Sequence, residues 1–181
     1  SHRPGFLILW ATGALYGTMR WLEILVVALY TFDQTGSPIA VAGIMFVRML
    51  PMVLFGSFVG AIADRLDCKR LLLTGFSVLG VTAVVLALLA STEALPLWVL
   101  AVSVFVGGTV FSADLTIRRM LLGEAAGMPM LGRALALDSA TSNATRMLGP
   151  LLGGAIYQAL GLPGVYALAA LIYISMILLF S

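Results

Sequence analysis

Long apolar stretches separated by short polar turns fill this chain from end to end, and no soluble fold has an interior able to hide so much hydrophobic surface. Across 181 residues, 61% are hydrophobic and only 10% are charged. A soluble domain carries about 25% charged residues. A helix needs roughly 20 apolar residues to cross a bilayer, so the length fits about six spans with short loops. Inside hydrocarbon, a helix is the element that satisfies its own backbone polar groups. The expectation is an all-α membrane protein.

The polar breaks place the helices at about 5–31, 39–63, 71–90, 95–117, 132–160 and 165–181, forming a single bundle over 1–181. Asp33 to Pro38, Ser91-Thr92-Glu93 and Gly161-Leu162-Pro163-Gly164 read as turns. Arg118 to Leu131 reads as the longest polar connection, with room for a short surface helix. Pro150 is expected to break the fifth helix.

Loop cations set the orientation. Arg3, Arg65, Lys69, Arg70, Arg118, Arg119 and Arg133 all fall on one side, and the opposite loops hold Asp33 and Glu93. The cation-rich side is therefore expected to be cytoplasmic, with both termini there. The chain holds one Cys, Cys68, which leaves no intrachain disulfide to form, and one His, His2, which leaves no His-based triad or metal site. No cofactor, metal or nucleic-acid partner is expected, and the absence of a His-based site argues against an enzyme.

Charges within spans are costly and usually functional. There are six here: Arg20, Glu23, Arg48, Asp114, Asp138 and Arg146. Arg20, Arg48 and Arg146 each lie roughly 21–23 Å from the cytoplasmic ends of their helices, with Glu23 about one turn further out. Asn143 is one turn from Arg146. Tyr16, Arg20, Glu23, Arg48, Asn143 and Arg146 are therefore read as one polar layer lining a substrate cavity. A pair such as Glu23–Arg48 can also serve only to fix helix packing. Proton coupling needs a carboxyl group inside the span, and Glu23, Asp114 and Asp138 qualify by position. Gly13, Tyr16, Arg20 and Glu23 share one helix face, as do Gly107, Phe111, Asp114 and Arg118. The third and sixth helices carry no charge within their spans, which suits outer, lipid-facing positions.

Two motifs carry a resemblance. Gly60, Asp64, Arg65 and Lys69 resemble the signature turn between helices 2 and 3 of the major facilitator superfamily. Asp67 stands where that signature usually has Gly, and Cys68 where it often has a basic residue. Gly149-Pro150-x-x-Gly153-Gly154 is similar to the helix-5 motif of antiporters in that superfamily, with Thr145 replacing its usual first Gly. Thr35-Gly36-Ser37-Pro38, Arg48-x-x-Pro51 and Asn143-x-x-Arg146 resemble the bacterial exporter branch that includes enterobactin and macrolide exporters.

The resemblance implies a six-helix half of a twelve-helix carrier that works by alternating access. It assigns a cytoplasmic gate to Gly60, Asp64, Arg65, Lys69, Arg70 and Arg118, and a seam between halves to Gly149, Pro150, Gly153 and Gly154. A polar layer facing lipid is costly, so a second six-helix half is expected as partner. Halves of such carriers repeat about an axis along the membrane normal, which a homodimer reproduces, with helix 5 of one copy on helix 2 of the other; the competing expectation is that the sequence is the N-terminal half of a twelve-helix protein. The expected activity is proton-coupled efflux of an anionic or amphipathic solute. A non-transporting membrane subunit, or a lipid flippase or scramblase on the same bundle, is the alternative.

Overall fold

The computed structural model describes residues 3–63 and 65–181, so Asp64, the acid of the charged turn, lies outside the described residues. The elements are α1 (Arg3–Thr35), α2 (Pro38–Ala63), α3 (Cys68–Ser91), α4 (Leu97–Ala126), a 3-10 turn at Met128–Met130 and α5 (Leu131–Phe180). Four stretches, Pro38–Ile62, Cys68–Ser91, Leu97–Ala126 and Met128–Phe180, are long and apolar enough to cross a membrane.

The fifth helix is 50 residues long, far beyond one bilayer crossing. It breaks at Gly161, where φ is 67° and ψ is −171°. That backbone region is open essentially to glycine alone. Contacts on either side show that the chain reverses there. Before the break, Tyr157 hydrogen-bonds Asp33 at the far end of α1. After it, Tyr166 reaches Glu23, and Phe180 stacks on Phe76 near the start of α3. The arms 131–160 and 162–180 are therefore antiparallel.

Several boundaries differ from expectation. Pro150 does not break its helix, and the expected turn at 161–164 contracts to one residue, with Leu162, Pro163 and Gly164 already helical. The first helix runs on to Thr35, and Gly36, at φ 60°, makes the turn. The fourth runs on to Ala126, which puts Arg118 and Arg119 inside a helix rather than in a loop. The Asp67 carboxylate caps α3 by accepting from the backbone N–H groups of Lys69 and Arg70. Such a cap is worth about 1 kcal/mol, so the acid standing at the signature's Gly position has a local structural use.

Met19, Leu22, Val26 and Val27 of α1 are fully buried at the centre. Phe76, Leu79, Ala83 and Leu86 of α3 are buried in the same core as Tyr166, Ala169, Tyr173 and Met176 of the last arm. Both elements leave largely apolar opposite faces exposed, through Val81, Val85 and Leu88 and through Leu171, Ile174 and Leu178, with Thr74, Ser77 and Ser175 bonding back to their own helices.

The second helix is the barest. Of its most apolar stretch 17% is buried, against 33–39% in the other three. Phe46, Met49, Val53 and Phe58 point outward. Gly56 and Gly60 face open space. The helix-5 glycines behave differently from the implied seam. A Cβ on Gly149 would lie 2.6 Å from Trp21 Cβ and 2.9 Å from the Thr18 carbonyl, and one on Gly153 would lie 2.9 Å from the Leu22 carbonyl. Gly149 and Gly153 let α1 and α5 approach within this bundle rather than face a second half. Gly154 touches only the tip of Leu25, and Pro150 is half-buried. The outward face of the same arm carries Met147, Leu148 and Leu151.

Candidate functional site

The polar residues within the spans sort into three neighbouring groups. The first is built on Trp21. Arg146 sits over the Trp21 ring with its guanidinium carbon 4.8 Å from the centre. Arg20 lies 5.6 Å from the same ring and 3.1 Å from the ring centre of Phe111 on α4. The two cations thus stand at one level, held by aromatic faces. Neither has a carboxylate partner among the described residues, where the ion pairs are Arg48–Glu23, Arg70–Asp67 and Arg118–Asp114. An aromatic face holds a guanidinium without neutralising it; Arg146 is exposed and does not line the cavity that Arg20 faces. Arg20, Trp21 and Phe111 open onto a cavity of about 70 Å3 that runs along α1, α4 and α5 past Tyr16, Ser142 and Thr145 to Asp138.

The second group is a knot at the end of α4. Asp114 and Arg118 form a two-pronged pair, with Nη2 2.6 Å from Oδ1 and Nε 3.1 Å from Oδ2. Arg118 also donates to the Leu9 carbonyl and to Thr12 Oγ1 on α1. Asp114 and Arg118 are only 4% and 6% exposed. The guanidinium crosses α1 at Gly13, where a Cβ would lie 2.9 Å from Nη1. Arg118 is therefore a buried α1–α4 clamp and not a free arm of the charged turn. Arg119, next to it, is exposed. Asp138 is half-buried on the wall of the same cavity as this knot.

The third group lies on another side of α1. Glu23 stands 3.9 Å from Arg48 and accepts a 3.5 Å hydrogen bond from Tyr166. Arg48 is 7% exposed, and its Nε and Nη2 have no hydrogen-bond partner. Glu23 opens onto a separate small crevice with Ser103, Tyr166 and Tyr173. The expected single layer is thus two clusters, since Glu23 and Arg48 do not line the Arg20 cavity. Tyr16 does line it, but is also buried with its ring 5.7 Å from Phe76. Asn143 is exposed and lies outside the cavity, and Ser142 and Thr145 stand there instead. Trp21 and Phe111, the surfaces that hold both arginines, are ordinary aromatic residues in the sequence. Two aromatic residues near charged positions were the available signal.

In the charged turn, the backbone N–H of Arg65 bonds the Ile62 carbonyl. Arg65, Lys69 and Arg70 are exposed. Arg70 pairs loosely with Asp67 at 3.6 Å.

Helices of this length and apolarity, with guanidinium and carboxylate groups gathered between them, define a multi-pass membrane protein of the transporter class. The chain matches the transmembrane secretion effector family over residues 2–181 and belongs to it, within the major facilitator superfamily. It is 28% identical over 181 residues to an uncharacterised major-facilitator-type transporter, YfiS, of Bacillus subtilis, covering 99% of this chain and 42% of that protein. It is 29% identical over 135 residues to the staphyloferrin A transporter of Staphylococcus aureus, covering 74% of this chain and 34% of that protein. A macrolide efflux protein A of Streptococcus pyogenes is 25% identical over 108 residues, 59% of this chain and 27% of its own length. The chain thus spans less than half the length of these relatives. No solved structure matches it.

Proposed function

We propose that this bundle is one half of a secondary active exporter, crossing the bacterial cytoplasmic membrane six times with both termini cytoplasmic. A second six-helix half, a second copy of the chain in the simplest form, completes the carrier and the central cavity. The bare faces of α2, with Gly56 and Gly60 open, and of α5 at Met147, Leu148 and Leu151 support such a partner. The gate role of Gly60, Asp64, Arg65, Lys69 and Arg70 follows from their motif.

The solute is an anionic or amphipathic compound. The observation that supports this is the pair Arg20 and Arg146, two in-span cations beside one indole ring that make no ion pair among the described residues. Arg20 is half-buried and Arg146 exposed; a charge partly withdrawn from water without a counter-ion is costly, and an anion entering the cavity at Arg20 relieves that cost. A purely structural subunit gains nothing from leaving two such charges unpaired. A lipid flippase needs a polar lateral path, whereas the crevice between α3 and α4 is walled mainly by Leu71, Val78, Phe105 and Val110, with Thr74, Thr109 and Asp114 its polar members.

Glu23 is the favoured proton carrier. Protonation removes its attraction for Arg48 and frees that guanidinium, which already lacks acceptors. Asp114 is occupied by Arg118, and Asp138 faces the cavity as the second candidate. The test is efflux of labelled carboxylate-bearing solutes from reconstituted vesicles, with and without a proton gradient. Arg20→Gln and Arg146→Gln each abolish anion efflux on this reading, and Glu23→Gln abolishes the response to the gradient. Unchanged transport of every anionic candidate in both arginine variants would overturn the anionic assignment.

A further inference from the structure

A cavity much roomier than the one around Arg20 lies at one end of the bundle. It measures about 520 Å3 and lies between the first turns of α1 at Phe6 and Leu7, the end of α4 at Ala125 and the first turns of α5 at Arg133, Ala134 and Leu137. That is within the roughly 300–1,000 Å3 of small-molecule sites. Its walls are apolar except for Arg133. Among the described residues Arg133 makes no ion pair. Around the same end, Leu7 is 57% exposed, and Met128 and Met130 of the 3-10 turn are 86% and 48% exposed. Apolar side chains left facing water carry a cost, which a bound acyl chain would relieve.

From this we infer that the cavity binds an anionic phospholipid, with an acyl chain in the trough and the phosphate on Arg133. An apolar slot with one cation that makes no ion pair among the described residues complements a chain ending in a negative headgroup. Basic pockets between helices on the cytoplasmic side of membranes take such headgroups. The neighbouring cavity, about 510 Å3 beside Leu9 and Phe180, is a useful contrast: its Lys69 shares the lining with Glu124. It therefore lacks the net positive charge that selects an anion. The inference rests on the membrane reading and not on transport, so it can fail while the exporter reading stands.

The test uses detergent-purified protein and counts lipids retained in native mass spectra. Phosphatidylglycerol is compared with phosphatidylcholine at equal concentrations. The wild-type chain retains phosphatidylglycerol severalfold over phosphatidylcholine. Arg133→Gln brings the ratio to about one, and Arg133→Lys keeps the preference. Lys69→Gln removes an equal charge from the same end and also keeps it. Leu7→Trp, at an exposed rim position, lowers retention of both lipids. Glycerol phosphate alone does not compete. No preference in the wild type, a preference that survives in Arg133→Gln or vanishes in Lys69→Gln, or full competition by glycerol phosphate would overturn the assignment.

Discussion

Gly17 faces Thr145 across the contact of α1 with α5, and a Cβ on Gly17 would lie 2.9 Å from the Thr145 hydroxyl oxygen. Thr145 stands at the position where the antiporter motif usually has its first Gly. The room lost on α5 is given back by α1. Overpacking of this kind costs about 1–3 kcal/mol. Gly17→Ala should therefore lower the melting temperature of the purified protein. Thr145→Gly in the same chain should restore part of the loss, because the two changes share one space. Additive losses in the double variant would show that the two positions do not compete.

The Asp114–Arg118 pair gives a second prediction. Both groups are buried and joined at 2.6 Å. Removing one partner of such a pair typically costs about 3–5 kcal/mol, more than the pair itself contributes. Asp114→Ala or Arg118→Met alone should strongly destabilise the detergent-solubilised protein. The two together should cost clearly less than the sum. Gly13→Ala, which pushes on Arg118, should be milder than either single change. Thermal unfolding of the four variants checks the order.

The helices were legible because an apolar run of fixed length has little choice of structure in a membrane. The reversal at Gly161 was legible as well, but its compactness was not. Gly-Leu-Pro-Gly has the composition of a loop, and only the backbone shows that a single residue makes the turn. The end of α4 was misread because Arg118 and Arg119 look like loop cations. A buried Asp four residues earlier, and a glycine on the facing helix, let the first of them stay inside the bundle. The split between Arg20 and Glu23 was hidden for a geometric reason. Three helical residues turn about 300°, leaving the two side chains about 60° apart, enough to enter different crevices once neighbouring helices are fixed. Sequence spacing gives the face, and only packing gives the neighbour.

Trp21 should matter to ligand binding as much as the arginines it holds. Its ring carries Arg146 at 4.8 Å and Arg20 at 5.6 Å. Desolvated cation–π contacts are worth up to about 2 kcal/mol. Trp21→Leu should weaken binding of an anionic solute by about tenfold, a change of roughly 1.4 kcal/mol. Trp21→Phe, which keeps an aromatic face, should lose less. Equilibrium binding of one labelled carboxylate solute to both variants decides it. Equal affinity in Trp21→Leu and the wild type would show that the ring does not position the cations.

Gly161 offers the sharpest test of the fold. Its φ of 67° with ψ of −171° is a conformation that a side chain makes unfavourable by about 1–3 kcal/mol. The whole return of the chain from α5's first arm to its second depends on that one backbone setting. Gly161→Ala should lower the melting temperature and the yield of folded protein, with no effect on the local contacts of Arg20 or Arg146. Gly164 constrains the same corner differently. Its Cβ would collide with the Cβ of Leu160, so only a residue without that atom at 160 relieves it. Gly164→Ala should be rescued in part by Leu160→Gly, and Gly161→Ala should not. If both were rescued alike, steric crowding rather than backbone conformation would be what Gly161 relieves.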